Sequence, residues 1–292
     1  MEKIIKKLLI IGCGRLGQLT GKVLSNLPIE VIGIKRKLLG NDSSFKLISL
    51  DIFSEKFSKE ILSINPNFVI YCISSDSQTQ ESYQKNYIDG LRITIDSLSQ
   101  LDNFQHLFFI SSTRVYGQIS ENFLSESTCP FPSDYRGDAL LKAEESLKKL
   151  SFNSTILRSS GIYGPNRNHI LEMASDFLKW PKEDRWTNRI HERDIANFLF
   201  FLFTRLINNK KIENLYLLTD SCPVPLYKVL KWIRSELGLS LKNIPISKNI
   251  KGKKLESKIL PKLKFSLKYP DYKSGYGEMI SALKKIESNH ID

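Results

Sequence analysis

Short apolar runs of strand length recur along the chain at Leu8 to Ile11, Ile29 to Ile34, Leu47 to Leu50, Phe68 to Ile73, His106 to Ser111 and Ser154 to Leu157, with helix-like stretches between them. That alternation predicts a parallel sheet covered by helices on both faces, because parallel neighbours need a crossover and the crossover packs on the sheet. The regularity stops after Gly161, where Gly-Ile-Tyr-Gly-Pro-Asn-Arg-Asn reads as a loop before a helical stretch at Ile170 to Lys179. A helix-like run from Arg193 to Ile207 and a strand from Asn214 to Leu218 then return to the sheet. From about Ser221 the chain reads as a small C-terminal part punctuated by Pro223, Pro225, Pro261 and Pro270. No internal repeat or low-complexity linker separates the parts, so they are expected to interleave. Residues 1–160, with 190–219 returning, form the larger domain, and 161–189 with 220–292 the smaller.

The first apolar run carries the chemistry. Lys3 to Ile11 leads into Gly12-Cys13-Gly14-Arg15-Leu16-Gly17, spaced G-x-G-x-x-G, and a helix-like run from Leu16 to Leu27 follows. Three glycines alone can be a flexible turn, but strand, glycine loop and helix in that order point to a dinucleotide site. Gly12 can make the tight turn, Gly14 lets the backbone approach a pyrophosphate, and Gly17 lets the helix pack close. The phosphates then sit at a helix N-terminus, where free N–H groups favour an anion. The fold expected is therefore α/β, a Rossmann-like doubly wound parallel sheet with a smaller interleaved C-terminal substrate domain. At the end of the second run an NAD site carries an acid for the ribose 2′-OH. Here the run passes into Lys35, Arg36 and Lys37, cations that suit the 2′-phosphate of NADP, so NADP is expected ahead of NAD. The bland alternative is a solvated basic turn in a lysine-rich chain. Arg15, inside the loop, is a further candidate phosphate contact.

Composition narrows the partners. A chain of 292 residues exceeds one usual compact domain, and 41% hydrophobic with 25% charged residues is ordinary for a globular protein. Lys and Arg number 43 against 31 Asp and Glu, a net +12 that can announce nucleic acid or an anionic membrane surface. The lysines are scattered, with mild clusters at Lys3 to Lys7 and Lys248 to Lys254 and no basic stripe interleaved with aromatics. No nucleic acid and no membrane partner is expected, and anionic small-molecule ligands account for the charge. Cys13, Cys72, Cys129 and Cys222 are far apart without metal-ligand spacing, which suits a reduced cytoplasmic protein with no metal site. The opening Met-Glu-Lys-Ile-Ile-Lys-Lys runs at once into the strand that bears the glycine loop, unlike a signal peptide. The most apolar stretch, Ile195 to Ile207, is about 13 residues long and holds Asn197 and Arg205, short of the ~20 a span needs.

Asp51-Ile52 follows the third run, and Asn86 lies in a helix-like stretch. Ser111-Ser112-Thr113-Arg114-Val115-Tyr116-Gly117 follows the fifth run, and Glu126, Pro130 and Pro132 precede the next helix. Arg158 leads into Gly161-Ile162-Tyr163-Gly164-Pro165, and Ile190-His191-Glu192-Arg193-Asp194-Ile195-Ala196 comes later. In order and spacing these segments resemble the extended short-chain dehydrogenases, the NAD-dependent epimerase and dehydratase family that acts on nucleotide sugars. The resemblance implies that Asp51 and Ile52 meet the adenine ring and that the Ser112 hydroxyl bonds a reacting substrate oxygen. It implies Tyr116, Arg158 and His191 on the substrate side, and a homodimer through paired helices. Taken alone, His191 reads as a structural histidine.

The family's Tyr-x-x-x-Lys pair places a phenol and an ammonium one helical turn apart, so that the lysine lowers the phenol's pKa. In this chain the tyrosine place is Arg136 and the lysine place Leu140, counted from Pro132 with Gly137 and Ala143-Glu144 as anchors. Tyr135 and Lys142 stand nearby, seven apart, so they share a helix face two turns from each other. A one-residue shift restores Tyr135 but no lysine. G-x-G-x-x-G in place of the family's usual G-x-x-G-x-x-G is a second departure. The resemblance is thus to an atypical branch, and two functions stay open. One is an NAD(P)-binding, epimerase/dehydratase-like oxidoreductase acting on a nucleotide-linked or phosphorylated sugar, with Ser112, Arg136 and Tyr135 as catalytic candidates. The other is a catalytically lapsed NADP(H)-binding sensor or scaffold.

Overall fold

A computed structural model of the chain describes residues 5–38, 44–220, 222–242, 244–247 and 249–288. Lys3, Ser221 and Lys248 lie outside these residues. The central sheet has seven strands: β1 (Lys6–Ile11), β2 (Ile29–Lys35), β3 (Lys46–Ser49), β4 (Phe68–Tyr71), β5 (His106–Ser112), β6 (Asn153–Ser159) and β7 (Leu215–Leu218). Their order is β7-β6-β5-β4-β1-β2-β3, and β1 runs parallel to both its neighbours, with Ile34 and Tyr71 opposite Ile11. Leu8 to Ile11 and Phe68 to Tyr71 are almost wholly buried, as strands covered on both faces must be. The chain order reverses between β1 and β4, which opens a crevice at the carboxyl ends of those strands.

The crossover helices follow from their apolar spacing. In α1 (Arg15–Leu24), Leu16, Gly17, Thr20, Gly21 and Leu24 form the buried face. The helix stops three residues before the expected Leu27, and Asn26 and Leu27 close it as turns onto the Val23 and Leu24 carbonyls. After α2 (Lys56–Ile64) and β4, the crossover to β5 is three pieces: α3 (Gln80–Tyr83), a π-helical stretch Gln84–Asp89, and α4 (Gly90–Leu98). In α5 (Tyr135–Leu147) the Asp134 carboxylate caps the first turn, accepting from the N–H groups of Arg136 at 3.0 Å and Gly137 at 3.1 Å.

The chain divides into two compact units, residues 1–117, 129–158 and 195–216 in one, and residues 118–128, 159–194 and 217–292 in the other. The second has its own core around Tyr163, Leu171, Trp180, Leu230 and Tyr276. Within it Gly161–Tyr163 pairs with Arg189–His191, Asp184–Thr187 with Val224–Pro225 and Ile250–Lys251, and Phe123–Leu124 with Lys254–Leu255. The helix expected over Ile170 to Lys179 is broken. A helix at His169–Ser175 ends at Asp176, whose backbone is extended and whose carboxylate accepts from Leu178 N–H at 2.9 Å, starting a separate turn at Phe177–Lys179. No described helix is long and apolar enough to cross a membrane.

Candidate active site

The glycine loop leaves β1 wedged between its two neighbours. The N–H groups of Gly12 and Cys13 bond to the Ile34 carbonyl at 3.1 and 2.8 Å, and Cys72 N–H bonds to the Ile11 carbonyl at 2.8 Å. Gly12 has φ +85°, and a Cβ there would lie 2.7 Å from Ile73 N and 2.8 Å from the Cys72 carbonyl carbon. A Cβ on Gly17 would approach the Gly12 carbonyl to 3.0 Å. The protein's own backbone thus explains these two glycines. It does not explain Gly14, where a Cβ would meet nothing within 4 Å. Gly14 is the N-cap of α1; it has no side chain to cap the helix, and no acid in the first turn answers the free N–H groups. A bare, positively polarised helix end beside open space is what a pyrophosphate fits. Leu16 is buried and Arg15 exposed in that first turn. Burial pushes the Cys13 thiol up to about 12, with the Lys35 charge pulling the other way, so this loop cysteine is a packed apolar group.

At the exit of β2, Lys35 is half-buried and Arg36 exposed. The Arg36 guanidinium forks onto Asp76 of the loop after β4, with Nη1 donating to Oδ2 at 2.8 Å and Nη2 to Oδ1. That hydrogen bond, more than the Coulombic attraction, holds the Asp76 carboxyl below its ordinary range. Asp51 is exposed after β3 and accepts from Phe53 N–H at 2.9 Å, while Ile52 is buried beneath it. Asn86 sits buried in the π-helical stretch, its side-chain amide donating to the Ser82 backbone carbonyl at 2.9 Å and its backbone carbonyl accepting from the Tyr71 phenol at 2.5 Å. Stretches of this kind recur at functional sites.

Ser112 ends β5 and caps the following single turn, its oxygen accepting from Arg114 N–H at 3.3 Å. Its neighbour Ser111 points inward and donates to Glu144 of α5 at 2.6 Å. Glu144 is fully buried, and Arg158 of β6 meets it through Nε at 3.1 and 3.0 Å and Nη2 at 2.5 Å. The remaining arm, Nη1, donates to the Tyr116 hydroxyl at 2.6 Å. Arg158 is 4% exposed and Tyr116 wholly buried. These two expected substrate contacts therefore lie inside the larger unit, bonded to each other, in a network that ties β5, α5 and β6 together.

At the tyrosine place Arg136 folds back on its cap, with Nε and Nη2 donating to Asp134 at 2.9 and 2.5 Å and Nη1 reaching Gln78 Oε1 at 3.4 Å. The Tyr135 hydroxyl donates to the Gln78 carbonyl. Leu140, at the lysine place, is 1% exposed and belongs to the core. Tyr135 and Lys142 line one shallow surface groove with Gln80, Gln84 and Asp138, as two residues seven apart on a helix must. Gly137 is required by close packing, because a Cβ there would fall 2.6 Å from the Arg114 carbonyl oxygen. The loop 74–79 is thus gripped from two sides, through Asp76 by β2 and through Gln78 by α5. Sequence reading missed Asp76, Gln78 and Asp134. The Ser-Ser-Asp-Ser cluster directly after the fourth apolar run was the available signal for the first.

In the smaller unit His191 is buried, stacked on Tyr269 with ring centroids 3.8 Å apart, and its Nδ1 accepts from Arg193 N–H at 3.1 Å. Burial pulls its pKa down to about 4, so the ring is neutral near pH 7. Asp194 accepts the N–H groups of Lys268 and Tyr269 at 2.7 and 3.0 Å. The His-x-x-Asp segment therefore fastens the chain at 268–269 within its own unit.

Comparison with known proteins agrees with this architecture. Residues 8–211 match the NAD dependent epimerase/dehydratase family. A solved structure from Methylobacillus flagellatus, provisionally assigned as an NAD-dependent epimerase/dehydratase, is 34% identical, with 96% of this chain and 99% of that chain covered and a TM-score of 0.85. At 16% identity the fold is shared with a UDP-glucose 4-epimerase from Thermotoga maritima solved with UDP-glucose, over 96% of this chain and 99% of that one, at a TM-score of 0.79. The Bordetella bronchiseptica enzyme WbmG, solved with NAD, shares it at 13% identity over 97% and 96%, at a TM-score of 0.78. No curated protein matches the sequence significantly. By the extent of the family match and the identity to its Methylobacillus relative, the chain belongs to the NAD-dependent epimerase/dehydratase family.

Proposed function

We propose that the chain is an epimerase/dehydratase-type oxidoreductase that uses NADP and acts on a nucleotide-linked or phosphorylated sugar. The observation that carries the reading is the basic exit of β2 beside a glycine loop open at Gly14: Lys35 and Arg36 stand where an NAD site keeps an acid. The UDP-glucose and NAD in the solved relatives support the substrate class and the dinucleotide. When bound, the cofactor supplies hydride transfer. Ser112 spends one lone pair on Arg114 N–H and keeps its proton to donate to a substrate oxygen. Arg136, fixed by Asp134, does not release a proton near neutral pH, but as a permanent cation it stabilises negative charge developing on oxygen. The Tyr135 phenol must leave the Gln78 carbonyl before it can move a proton. Titrations test the cofactor: Arg36→Ala should weaken NADP+ by roughly 1.5 to 3 kcal/mol and leave NAD+ nearly unchanged, and equal losses would overturn the NADP preference.

Leu140 favours a second reading, a dinucleotide-binding protein without turnover, because a buried leucine leaves the lysine place without a cation. Product formation from sugar nucleotides, NADPH consumption with carbonyl compounds and a binding titration together separate the two, because an epimerase or dehydratase returns its hydride and consumes no net cofactor. Tight binding with neither product nor consumption across that panel selects the second.

A further inference from the structure

We propose that Asp76 is a built-in competitor for Arg36, a clasp over the mouth of the dinucleotide crevice that must release the guanidinium before a 2′-phosphate is held, and that it thereby sets how strongly the chain prefers NADP to NAD. The inference rests on the reading that Arg36 meets the 2′-phosphate. β2 and β4 flank β1, and neighbouring strands lie about 4.8 Å apart, so the exits of β2 and β4 stand roughly 10 Å from each other with the glycine loop leaving between them. Arg36 follows β2 and Asp76 follows β4, and their two-pronged ion pair spans that gap. The two partners are unequally held. Asp76 N–H donates to Ser82 Oγ at 3.2 Å, the same hydroxyl receives Ser77 N–H at 3.3 Å and Ser75 Oγ at 2.8 Å, and the Tyr135 hydroxyl grips the loop again at Gln78. Arg36 is a long side chain, 60% exposed, that swings from a main chain fixed through Ser49. The carboxylate stays and the guanidinium moves.

A phosphate dianion presents the same fork of acceptors as a carboxylate with more charge, so it can take Arg36 from Asp76. The ribose hydroxyl of NAD cannot, and Arg36 stays on Asp76 when NAD binds. A carboxylate beside the phosphate also repels it. Both effects charge NADP alone, and both vanish when Asp76 becomes asparagine. Dissociation constants for NADP+ and NAD+ are measured by titration, at one ionic strength, on the parent chain, Asp76→Asn, Arg36→Ala and the double variant. The residues are exposed, and thermal unfolding checks that each variant is folded. Asp76→Asn should tighten NADP+ about three- to fivefold, the size of an exposed ion pair, and change NAD+ by less than about twofold. The NADP+ gain should shrink when Arg36 is alanine, leaving only the relief of repulsion. Equal tightening of both dinucleotides, no change in their ratio, or an undiminished gain in the Arg36→Ala background overturns the clasp. If Arg36→Ala weakens NADP+ while Asp76→Asn leaves the ratio alone, the cofactor reading stands and only the clasp falls. If Arg36→Ala spares NADP+, both fall.

Discussion

Gly14 occupies a helix N-cap, where serine or asparagine would serve α1 better than glycine does. Space, not helix stability, accounts for it. Replacing Gly14 by serine should therefore leave the unfolding temperature unchanged or slightly raised while weakening NADP+ and NAD+ together by about tenfold or more, ~1.4 kcal/mol, since the new side chain fills the phosphate approach. Gly12→Ala should do the reverse in kind, destabilising the fold by roughly 1 to 3 kcal/mol through a strained positive φ and a Cβ driven into the chain at Cys72 and Ile73. Thermal unfolding and dinucleotide titration on both variants check the contrast, and a Gly14→Ser protein that binds normally would remove the cradle. At Cys13 the buried thiol, pushed up to about 12, should resist alkylation in the native protein at pH 8 while exposed Cys129 is labelled, as peptide mass spectrometry would read.

The helix α5 shows why the family's proton-transfer pair cannot be restored by one change. Leu140 is 1% exposed, so Leu140→Lys alone buries an ammonium among apolar side chains and should lower stability by roughly 2 to 5 kcal/mol, readable as a drop in the urea midpoint. Arg136 faces Asp134 and can be exchanged for tyrosine with less strain. The strands were legible because β1, β4 and β5 carry unbroken apolar runs, Leu8 to Ile11, Phe68 to Tyr71 and Leu107 to Ile110. Their expected ends differ from the observed ones by a few residues, as where Cys72 and Ile73 leave β4 although Cys72 still bonds to β1. The order of glycine loop, Ser112 and α5 was legible for the same reason: each is a local signature. Asp76 on Arg36, Gln78 on Tyr135 and Glu144 on Arg158 were not, because each joins residues between 14 and 57 positions apart in the chain, and spacing says nothing of which side chains a crossover brings together. The π-helical stretch was equally invisible, since Gln84 to Asp89 has an ordinary helical composition.

Titration acts on the whole molecule through a few buried groups. Burial pushes Asp220 up to about 7 from an ordinary 3.8, so the folded chain keeps a proton that the unfolded chain has released, and stability falls as pH rises from about 4 to about 7. Burial pulls His106 and His191 down to about 4 from 6.5, so the unfolded chain takes up protons first, and stability falls as pH drops through that interval. Asp220→Asn keeps an acceptor for Cys222 N–H and should raise the unfolding midpoint at pH 8, with the gain shrinking toward pH 4. A gain that grows in acid would reverse the assignment. The Glu144–Arg158 pair bears on the whole chain in another way. Losing either partner strands the other in the core at a cost of about 3 to 5 kcal/mol, against a total of about 5 to 15, whereas two apolar residues of matching volume together cost little. Drift at these two sites must cross a valley that neither single step survives comfortably. An arginine in a sequence signature can thus be held in place by the difficulty of leaving, whatever else it touches.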